Sequence, residues 1–353
     1  MKLAIIGAGA AGLAAARKLH QRQPNLSITI YEKSRGLGGR AATRRRDGFV
    51  FDRGAQYFKS PSPAVEQLLT KELATDSLHD IGHPVWTFDQ HNTITEGDRA
   101  QNAEPKWVYR DGLNRLGKLL ANDLDVQREV RIGRLQQVST DNHKGIGYEL
   151  YDVAGQFRGL TDMVLLTPPA PQIVDILNAS EIDSTIKETL QTELVKATYR
   201  RCLSLALAYD HVIERPFYAL VNTDRAHPIS WLGLEHKKGP ERCPAGHSLL
   251  LPQMAAQFSL DHWETPPESL IPLVAEQVSE LLGTDLRTPL WGDVQRWRYA
   301  LPDSSADFAT LNQTNSGLFF AGDYTTGQGR VHLAIENGWR VAEELERYLN
   351  GTS

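Results

Sequence analysis

The chain has 353 residues, enough for two domains, and its hydrophobic content of 41% and charged content of 23% are ordinary for a globular protein. A formal net charge of −5 argues against a nucleic-acid-binding surface, and no run of about 18 apolar residues is present to span a membrane. The two cysteines cannot build a disulfide framework, which predicts a cytoplasmic protein. Taken together, the composition predicts no nucleic-acid partner and no transmembrane segment.

The first 32 residues follow the pattern strand, glycine turn, helix, strand, acid. An apolar run ends at Ile6, the glycines Gly7, Gly9 and Gly12 follow, and a second apolar run ends on Glu32. In a dinucleotide-binding βαβ unit the first glycine permits the tight turn and the second lets the backbone approach a pyrophosphate. The third lets helix and strand pack closely, and the acid accepts the ribose hydroxyls. The pattern predicts such a unit rather than a secretory signal, whose cleavage would remove the first strand.

A second glycine segment follows the acid. Gly38 and Gly39 let the backbone lie against another stretch of phosphate, and Arg40 can neutralise that phosphate bidentately. This additional contact favours a larger cofactor such as FAD. The neighbouring run Arg44-Arg45-Arg46 is predicted to be a solvated turn.

The next strand, Phe49 to Asp52, leads into Gly54-Ala55-Gln56-Tyr57. Together with Glu32 and Gly38-Gly39-Arg40, this segment resembles flavin-containing amine oxidases and, more closely, renalases. The resemblance implies an α/β fold: a Rossmann-type FAD-binding domain (glutathione reductase/amine oxidase-like) with a second α+β substrate domain formed by insertions. It also implies that FAD is bound non-covalently and that the Gly-Ala-Gln-Tyr segment lies near the flavin ring.

Two excursions from the FAD-binding domain are predicted. Residues 60–106 are rich in proline and polar side chains and lack a βαβ rhythm. Later, Pro168-Pro169-Ala170-Pro171 ends a strand abruptly, which predicts an extended exit and a second domain crossing. The predicted bounds are 1–59, 107–171 and 295–353 for the FAD-binding domain, and 60–106 and 172–294 for the substrate domain.

The larger excursion carries the candidate substrate pocket. The order Trp231-Leu232, a basic loop with Lys237, Lys238 and Arg242, an apolar strand and Gln257-Phe258-Ser259 resembles bacterial renalases. An aromatic strand at Trp107 and the segment Arg296-Trp297-Arg298-Tyr299-Ala300 have counterparts in the same family. The predicted substrate-pocket residues are Trp107, Trp231, Gln257 and Trp297.

The last strand ends on Gly322-Asp323, and a terminal helix follows Arg330. The resemblance implies that Asp323 holds a ribityl hydroxyl and that the helix N-terminus faces the flavin N1–C2=O edge, where negative charge develops on reduction. It also implies that the backbone near Val130 meets the adenine. The predicted cofactor-binding residues are Gly7, Gly9, Ala11, Gly12, Glu32, Lys33, Gly39, Arg40, Gln56, Tyr57, Phe58, Val130, Thr167, Gly322, Asp323, Arg330 and Val331.

The sequence assigns no catalytic residue and no metal ligand. No hydrolase triad order or zinc spacing occurs among the eleven histidines, of which His83, His211, His227 and His332 are predicted to be surface or packing residues. The strand that begins Tyr199-Arg200-Arg201-Cys202 has no lysine of the kind that amine oxidases place near flavin N5. No cysteine lies near Asp323 for covalent attachment of the flavin.

The resemblance to renalases implies an FAD oxidase acting on the 2- and 6-dihydro isomers of NAD(P)H. A hydride passes to flavin N5, and O2 accepts the electrons, so that NAD(P)+ and H2O2 form. A substrate that is already a hydride donor needs no strong base. Two alternatives stay open: a flavin amine oxidase or carotenoid-type desaturase of the same fold, and a non-catalytic flavin- or nucleotide-binding module. The oligomeric state and the choice between NAD and NADP forms stay open too.

Overall fold

The computed structural model describes residues 1–141, 145–313 and 315–351. Within it the chain forms two compact units. Unit 1 consists of Met1–Gly39, Leu116–Tyr199 and Leu301–Ser353, and unit 2 consists of Arg40–Arg115 and Arg200–Ala300.

The strands and helices of the described residues follow in chain order. The strands are β1 (Lys2–Ile6), β2 (Ser27–Glu32), β3 (Thr43–Arg46), β4 (Phe49–Asp52), β5 (Leu78–Asp80), β6 (Val85–Phe88), β7 (Ile94–Thr95), β8 (Trp107–Tyr109), β9 (Asp125–Arg128), β10 (Ile132–Ser139), β11 (Ile146–Asp152), β12 (Phe157–Thr161), β13 (Met163–Leu166), β14 (Tyr199–Tyr209), β15 (Ala219–Asn222), β16 (Ile229–Leu234), β17 (Ser248–Met254), β18 (Trp291–Pro302) and β19 (Leu318–Phe320). The α-helices are α1 (Ala10–Arg22), α2 (Pro63–Gln67), α3 (Arg99–Ala103), α4 (Asn114–Leu120), α5 (Ala170–Ala179), α6 (Ser184–Leu194), α7 (Ala256–Asp261), α8 (Pro267–Leu282), α9 (Phe308–Asn312), α10 (Asp323–Thr326) and α11 (Val331–Leu349). A π-helical turn spans Leu68–Glu72, and a 3₁₀ turn spans Glu235–Lys238.

Unit 1 is built on a parallel sheet in the order β19-β13-β1-β2-β9. Strand β1 lies in the middle of this sheet, and four of its five residues are buried. A βαβ crossover joins β1 to β2 through α1, whose buried face is mostly alanine and leucine. The carboxyl ends of these parallel strands, where nucleotides bind in such sheets, carry the glycine turns. The predicted α/β fold with a Rossmann-type sheet is therefore confirmed.

The proline run after β13 begins a helix rather than an extended exit. Helix α5 starts at Ala170 and has Pro171 in its first turn, where the missing N–H is not needed for an intrahelical bond. Helices α5 and α6 then bury Ile173, Leu177 and Leu190 in the same core as the β13 residue Leu166. The chain consequently stays in unit 1 up to Tyr199, beyond the crossing predicted after residue 171.

Unit 2 is built on a seven-stranded mixed sheet in the order β18-β14-β17-β16-β15-β6-β7. Helix α8 packs on it, and Leu270, Val274 and Val278 of this helix share a core with strand residues such as Leu205 and Leu232. The hairpin of β3 and β4 and the pair of β5 and β8 complete the unit.

The bounds of the two units differ from the predicted domains at three segments. Residues 40–59 and 107–115 lie in unit 2, and residues 172–199 lie in unit 1. Strand β4 and the residues next to α4 contact buried charges of unit 2, and α5 and α6 cover the sheet of unit 1. The assignment of cofactor binding and substrate binding to these units stays a prediction.

The arginine run after Gly39 forms a strand, not a solvated turn. Arg44, Arg45 and Arg46 all lie in β3, which pairs with β4. Arg44 forms an ion pair with Asp293 (3.3 Å), Arg45 donates to the Asp111 carbonyl, and the Arg46 guanidinium lies 4.5 Å from the Trp291 ring centroid. Arg44 and Arg45 are exposed, so the predicted solvation holds for these two residues and the predicted turn is wrong.

Among the described residues, no helix has the length and apolar character needed to cross a membrane.

Candidate active site

The turn between β1 and α1 needs its glycines at two positions. Gly7 has φ 104°, and a Cβ on Gly12 would lie 2.3 Å from the Gly7 carbonyl oxygen. The Thr167 hydroxyl is within hydrogen-bond distance of the Ile6 and Gly7 carbonyl oxygens, at 2.9 and 3.1 Å. Gly9, in contrast, has no atom within 4 Å of where a Cβ would stand. The turn is therefore packed tightly on its inner side and open at Gly9.

The N-terminus of α1 is suited to an anion. Gly9 is its N-cap, no side chain caps it, and its first turn has no acidic residue. The first N–H groups of a helix have no intrahelical partners and carry the positive end of the helix dipole. The backbone here can accept a diphosphate, which is the role predicted for Gly9 and Ala11.

Glu32 is held at the end of β2 by backbone N–H groups. Its side chain is buried, Oε2 accepts from the Ala8 N–H (2.8 Å), and Oε1 accepts from the Ser34 N–H (2.8 Å). Each carboxylate oxygen keeps acceptor capacity for a ribose hydroxyl. The Val130 N–H donates to the Glu32 carbonyl (3.0 Å), which fixes the Val130 backbone beside this carboxylate. Lys33 binds Gln172 (2.9 Å), and burial lowers the pKa of its amine.

We expect Glu32→Gln to weaken FAD binding roughly 10- to 100-fold, since hydrogen bonds to a charged group contribute about 1.5–3 kcal/mol. The amide nitrogen would also face one of the two backbone N–H groups. Titration of FAD-free protein with FAD, followed by flavin fluorescence, measures the affinity. Glu149→Gln is the matched control, because Glu149 binds the Tyr151 hydroxyl in the separate three-stranded sheet. Equal affinity of E32Q and the wild type would contradict the ribose assignment.

The Gly38-Gly39 segment lies against the first turn. The Gly38 N–H donates to the Ala8 carbonyl (2.8 Å), and a Cβ on Gly39 would be 3.3 Å from the Gly9 Cα. Both glycines have positive φ. Arg40 is the first residue of unit 2, where its Nη1 donates to the Tyr299 and Ala300 carbonyls, each at 3.1 Å. The guanidinium is therefore oriented by the protein itself.

The second glycine turn of unit 1 follows β19. The Asn337 Oδ1 accepts from the Gly322 N–H (2.7 Å) and the Thr325 hydroxyl (3.1 Å). The Tyr199 hydroxyl donates to the Asp323 carboxylate (2.8 Å). Sequence analysis missed Asn337 and Tyr199 as holders of this turn.

Helix α11 begins after Arg330, with Val331 as its first residue and no acidic residue in its first turn. A Cβ on Gly338 of this helix would lie 2.3 Å from the Ala11 carbonyl oxygen of α1. The backbones of α1 and α11 therefore approach each other closely at Gly338, where a side chain would not fit. Their N-termini are the two sites where the sequence predicts phosphate and flavin contacts.

The predicted residues of unit 2 fall into separate groups. Tyr57 and Trp231 pack together with Tyr218, with ring centroids 6.1 to 6.5 Å apart, and we call these three the aromatic cluster. Phe58 and Trp107 exchange backbone hydrogen bonds. The Trp107 indole donates to Ser60 (3.1 Å), and the Trp297 indole donates to the Arg53 carbonyl (2.9 Å).

Gln257 lies apart from these groups. It is exposed on α7, and its amide donates to Asp261 at 2.8 Å. Gln253, which was not predicted, lies directly opposite Trp231 in the β16–β17 pairing and donates to the Gly54 carbonyl (2.7 Å). No sequence signal distinguishes the two glutamines, because the register of the strand pair decides which one meets the Gly54 turn.

Four charged side chains are buried together in unit 2, and we call Asp52, Glu235, Lys238 and Arg242 the charged cluster. All four side chains are 0% exposed. Asp52 accepts from Lys238 (3.1 Å) and Arg242 (2.8 Å), and Glu235 contacts the same two cations at 2.5 and 3.2 Å. The basic loop of the sequence analysis therefore supplies interior charges, because two carboxylates compensate its two cations.

The charged cluster fixes the segment that contains Gln56. The Gln56 Nε2 donates to the carbonyls of Asp52 (2.6 Å) and Gly54 (3.1 Å), and its Oε1 accepts from Lys238 (3.3 Å). Burial would raise the pKa of Asp52, but the neighbouring Arg242 and Lys238 outweigh it and bring that pKa to about 2. Burial also raises the pKa of Tyr218 well above its usual value of 10.0, so this hydroxyl stays protonated.

One of the histidines predicted to be surface or packing residues, His227, packs in the core of unit 2. His227 is buried against Phe88, its Nδ1 accepts from the Ile229 N–H (2.9 Å), and burial lowers its pKa. Within residues 1–141, 145–313 and 315–351, no group of three His, Cys, Asp or Glu side chains is placed to hold a metal ion. The sites of unit 1 fit FAD, since they offer an open glycine turn, an anion-binding helix start and an oriented carboxylate.

Comparison with known proteins gives two family matches. Residues 5–71 match the NAD(P)-binding Rossmann-like domain, and residues 88–345 match the flavin containing amine oxidoreductase family. A solved structure of wild-type putrescine oxidase bound to putrescine has the same fold, with a TM-score of 0.73 and 13% identity over 98% of this chain and 99% of that one.

Sequence relatives differ in how much of the chain they cover. Mouse renalase is 23% identical over 99% of both chains. Coproporphyrinogen III oxidase of Staphylococcus aureus is 36% identical over 80 residues, and 4,4'-diapophytoene desaturase of the same species is 43% identical over 61 residues. These matches span only 15% and 12% of the two enzymes. Since one family covers residues 88–345, the chain belongs to the flavin-containing amine oxidoreductases and is an FAD-dependent oxidoreductase.

Proposed function

We propose that this enzyme oxidises the 2- and 6-dihydro isomers of NAD(P)H to NAD(P)+, with O2 as the electron acceptor. The observation that carries the proposal is the alignment with renalase, which extends over 99% of both chains, whereas the desaturase match is confined to 17% of this chain. The renalase resemblance in the sequence implies this substrate class.

Bound FAD would supply the redox chemistry, since it takes a hydride at N5 and passes two electrons and two protons to O2, which becomes H2O2. The protein's part is to bind and orient FAD and the substrate and to exclude water from them. In unit 1, Glu32 would orient the adenosine ribose, and the N–H groups at the start of α1 would hold the diphosphate. Asp323, whose carboxylate accepts from the Tyr199 hydroxyl, would hold a ribityl hydroxyl.

The side chains around the aromatic cluster support a substrate that needs no general base. Tyr218 keeps its proton, and Lys238 is paired with Asp52 and Glu235. A dihydropyridine ring already carries the hydride that it donates, so its oxidation requires positioning rather than deprotonation. Flat rings can pack against Tyr57 and Trp231.

Amine oxidation is the second candidate, and the likeness of the fold to putrescine oxidase favours it. An ammonium group could lie over the rings of the aromatic cluster through a cation–π contact. An amine substrate would, however, have to lose a proton before oxidation, and the charged cluster offers no unpaired base for that step.

Anaerobic mixing of the purified holoenzyme with its candidate substrates tests the proposal. We expect the flavin absorbance to bleach rapidly with 6-dihydroNAD and 2-dihydroNAD, and at least about 100-fold more slowly with NADH, whose hydride lies elsewhere on the ring. Readmission of air should restore the absorbance and form one H2O2 per NAD+. Putrescine and other primary amines are the comparison substrates. Bleaching by an amine alone, or by no compound offered, would contradict the proposal.

A further inference from the structure

Gln253 has an amide whose orientation is set by the protein. Its Nε2 donates to the Gly54 carbonyl oxygen at 2.7 Å. The reverse orientation would place two oxygens in contact, so the hydrogen-bond network assigns nitrogen to this side. The Ser230 hydroxyl also donates to the Gln253 backbone carbonyl (2.8 Å), which holds this part of β17. The Oε1 atom of Gln253 consequently has one fixed direction.

This oxygen is available for a ligand. No hydrogen-bond donor in the described part of the chain reaches Gln253 Oε1, and the residue is half-buried rather than enclosed. Gln56, which donates to the same Gly54 carbonyl, differs in this respect because its Oε1 accepts from Lys238. Of the two glutamines on this turn, Gln253 is the one whose side-chain acceptor receives no hydrogen bond from a described residue.

The surroundings of Gln253 favour an uncharged, flat partner. Trp231 is its direct neighbour across the strand pair, and the Tyr57 ring lies 6.1 Å from the Trp231 ring. The buried cations of the charged cluster, Lys238 and Arg242, are neutralised by Asp52 and Glu235. An aromatic surface with one oriented acceptor suits a ring that carries an N–H donor.

We propose that Gln253 is a specificity-determining residue whose Oε1 accepts an N–H of a carboxamide on a flat ring, such as the carboxamide of a dihydronicotinamide. The proposal rests on the proposed function, and it gives to Gln253 the substrate-pocket role that the sequence assigned to Gln257. A ring with an acetyl group in place of the carboxamide has the same shape but no N–H to donate.

The test compares Gln253→Met in the holoenzyme with two substrates, 6-dihydroNAD and the corresponding 3-acetylpyridine analogue. One net hydrogen bond contributes about 0.5–1.5 kcal/mol, so Q253M should raise the apparent dissociation constant for 6-dihydroNAD roughly 2- to 12-fold. The constant for the acetyl analogue should stay unchanged. The limiting rate of flavin reduction should change less than the binding constant, which separates this role from a general loss of structure.

Two further variants sharpen the comparison. Gln295→Met is the matched control, since Gln295 is a half-buried glutamine of the same sheet whose amide donates to the Arg296 carbonyl (3.1 Å). Gln257→Met tests the rival assignment. An equal loss for both ligands in Q253M, or a carboxamide-selective loss in Q257M instead, would overturn the inference. Amine-driven flavin reduction that depends on Gln253 would overturn it as well.

Binding of oxidised dinucleotides separates this inference from the proposed function. NAD+ and 3-acetylpyridine adenine dinucleotide are titrated into the wild type and Q253M, and the shift of the flavin spectrum is followed without turnover. A selective loss for NAD+ with no reduction by the isomers would refute the function and support the inference. Reduction by the isomers without any selective loss would refute only the inference. Failure of both dinucleotides to bind the wild type would refute both.

Discussion

Gly12→Ala is expected to destabilise the protein by about 3 kcal/mol and to remove FAD from it, because the added methyl group has no space. The new Cβ would lie 2.3 Å from the Gly7 carbonyl oxygen and 3.0 Å from the Thr167 hydroxyl. Backbone atoms cannot yield as a flexible side chain does, so α1 and the turn must move apart, at the upper end of the cost of overpacking. Urea unfolding of the FAD-free protein measures the stability, and the ratio of flavin to protein measures retention of the cofactor.

Gly9→Ala separates binding from folding at the same turn. The position has extended backbone and no atom within 4 Å of a Cβ, so the free energy of unfolding without FAD should change by less than about 0.5 kcal/mol. FAD binding should nevertheless be lost, because the methyl group occupies the place of the diphosphate. Gly36→Ala, which also meets no neighbour, should change neither quantity. Normal FAD content in G9A would refute the assignment of this turn to the diphosphate.

Asp52→Asn is expected to cost about 3–5 kcal/mol of stability, since it leaves the charged cluster with an excess of positive charge at a fully buried site. Asp52 also accepts from the Thr43 hydroxyl (2.6 Å) and the Leu113 N–H (2.9 Å), so the amide nitrogen would meet a donor. Chemical unfolding of the two holoenzymes measures the difference in the free energy of unfolding between D52N and the wild type. Asp285→Asn is the control, because Asp285 pairs with Arg287 at an exposed site, and we expect no measurable change there.

The same carboxylate makes stability depend on pH. Its pKa falls from 3.8 to about 2 on folding, so the native state favours the ionised form. The resulting stabilisation is complete above about pH 4 and is lost as the pH falls through 2. Between pH 2 and pH 4, the free energy of unfolding should therefore change less steeply with pH for D52N than for the wild type. Parallel slopes would show that Asp52 is not paired as described.

Local sequence patterns predicted those parts of the candidate site that consist of a single turn or strand end. The glycines of the first turn, Glu32 and the Gly322-Asp323 turn occur where predicted, because short segments with fixed backbone geometry form them. Helix α8 is local in the same sense, because it begins at Pro267 and ends at Leu282, just before the left-handed Gly283. Such features depend on neighbours within a few residues.

Contacts between distant segments could not be predicted in the same way. Asp52 and Arg242 are 190 residues apart, and nothing near either one shows that each neutralises the other. The sequence therefore predicted a basic loop but not its burial against two carboxylates, and it predicted a turn where Arg44–Arg46 form a strand. Gln253 was missed for a related reason, since its role depends on the pairing of β16 with β17 and on the Gly54 turn.

The close packing of Gly338 on Ala11 has a consequence for biosynthesis. Helix α1 packs against α11, which lies far along the chain from it. The edge strand β19 of the parallel sheet is equally distant in sequence from β1. During synthesis, the alanine-rich face of α1 therefore stays uncovered until α11 has been made. Contacts of such wide sequence separation form slowly. We expect the nucleotide site to form only after α11 and β19 have joined the rest of unit 1.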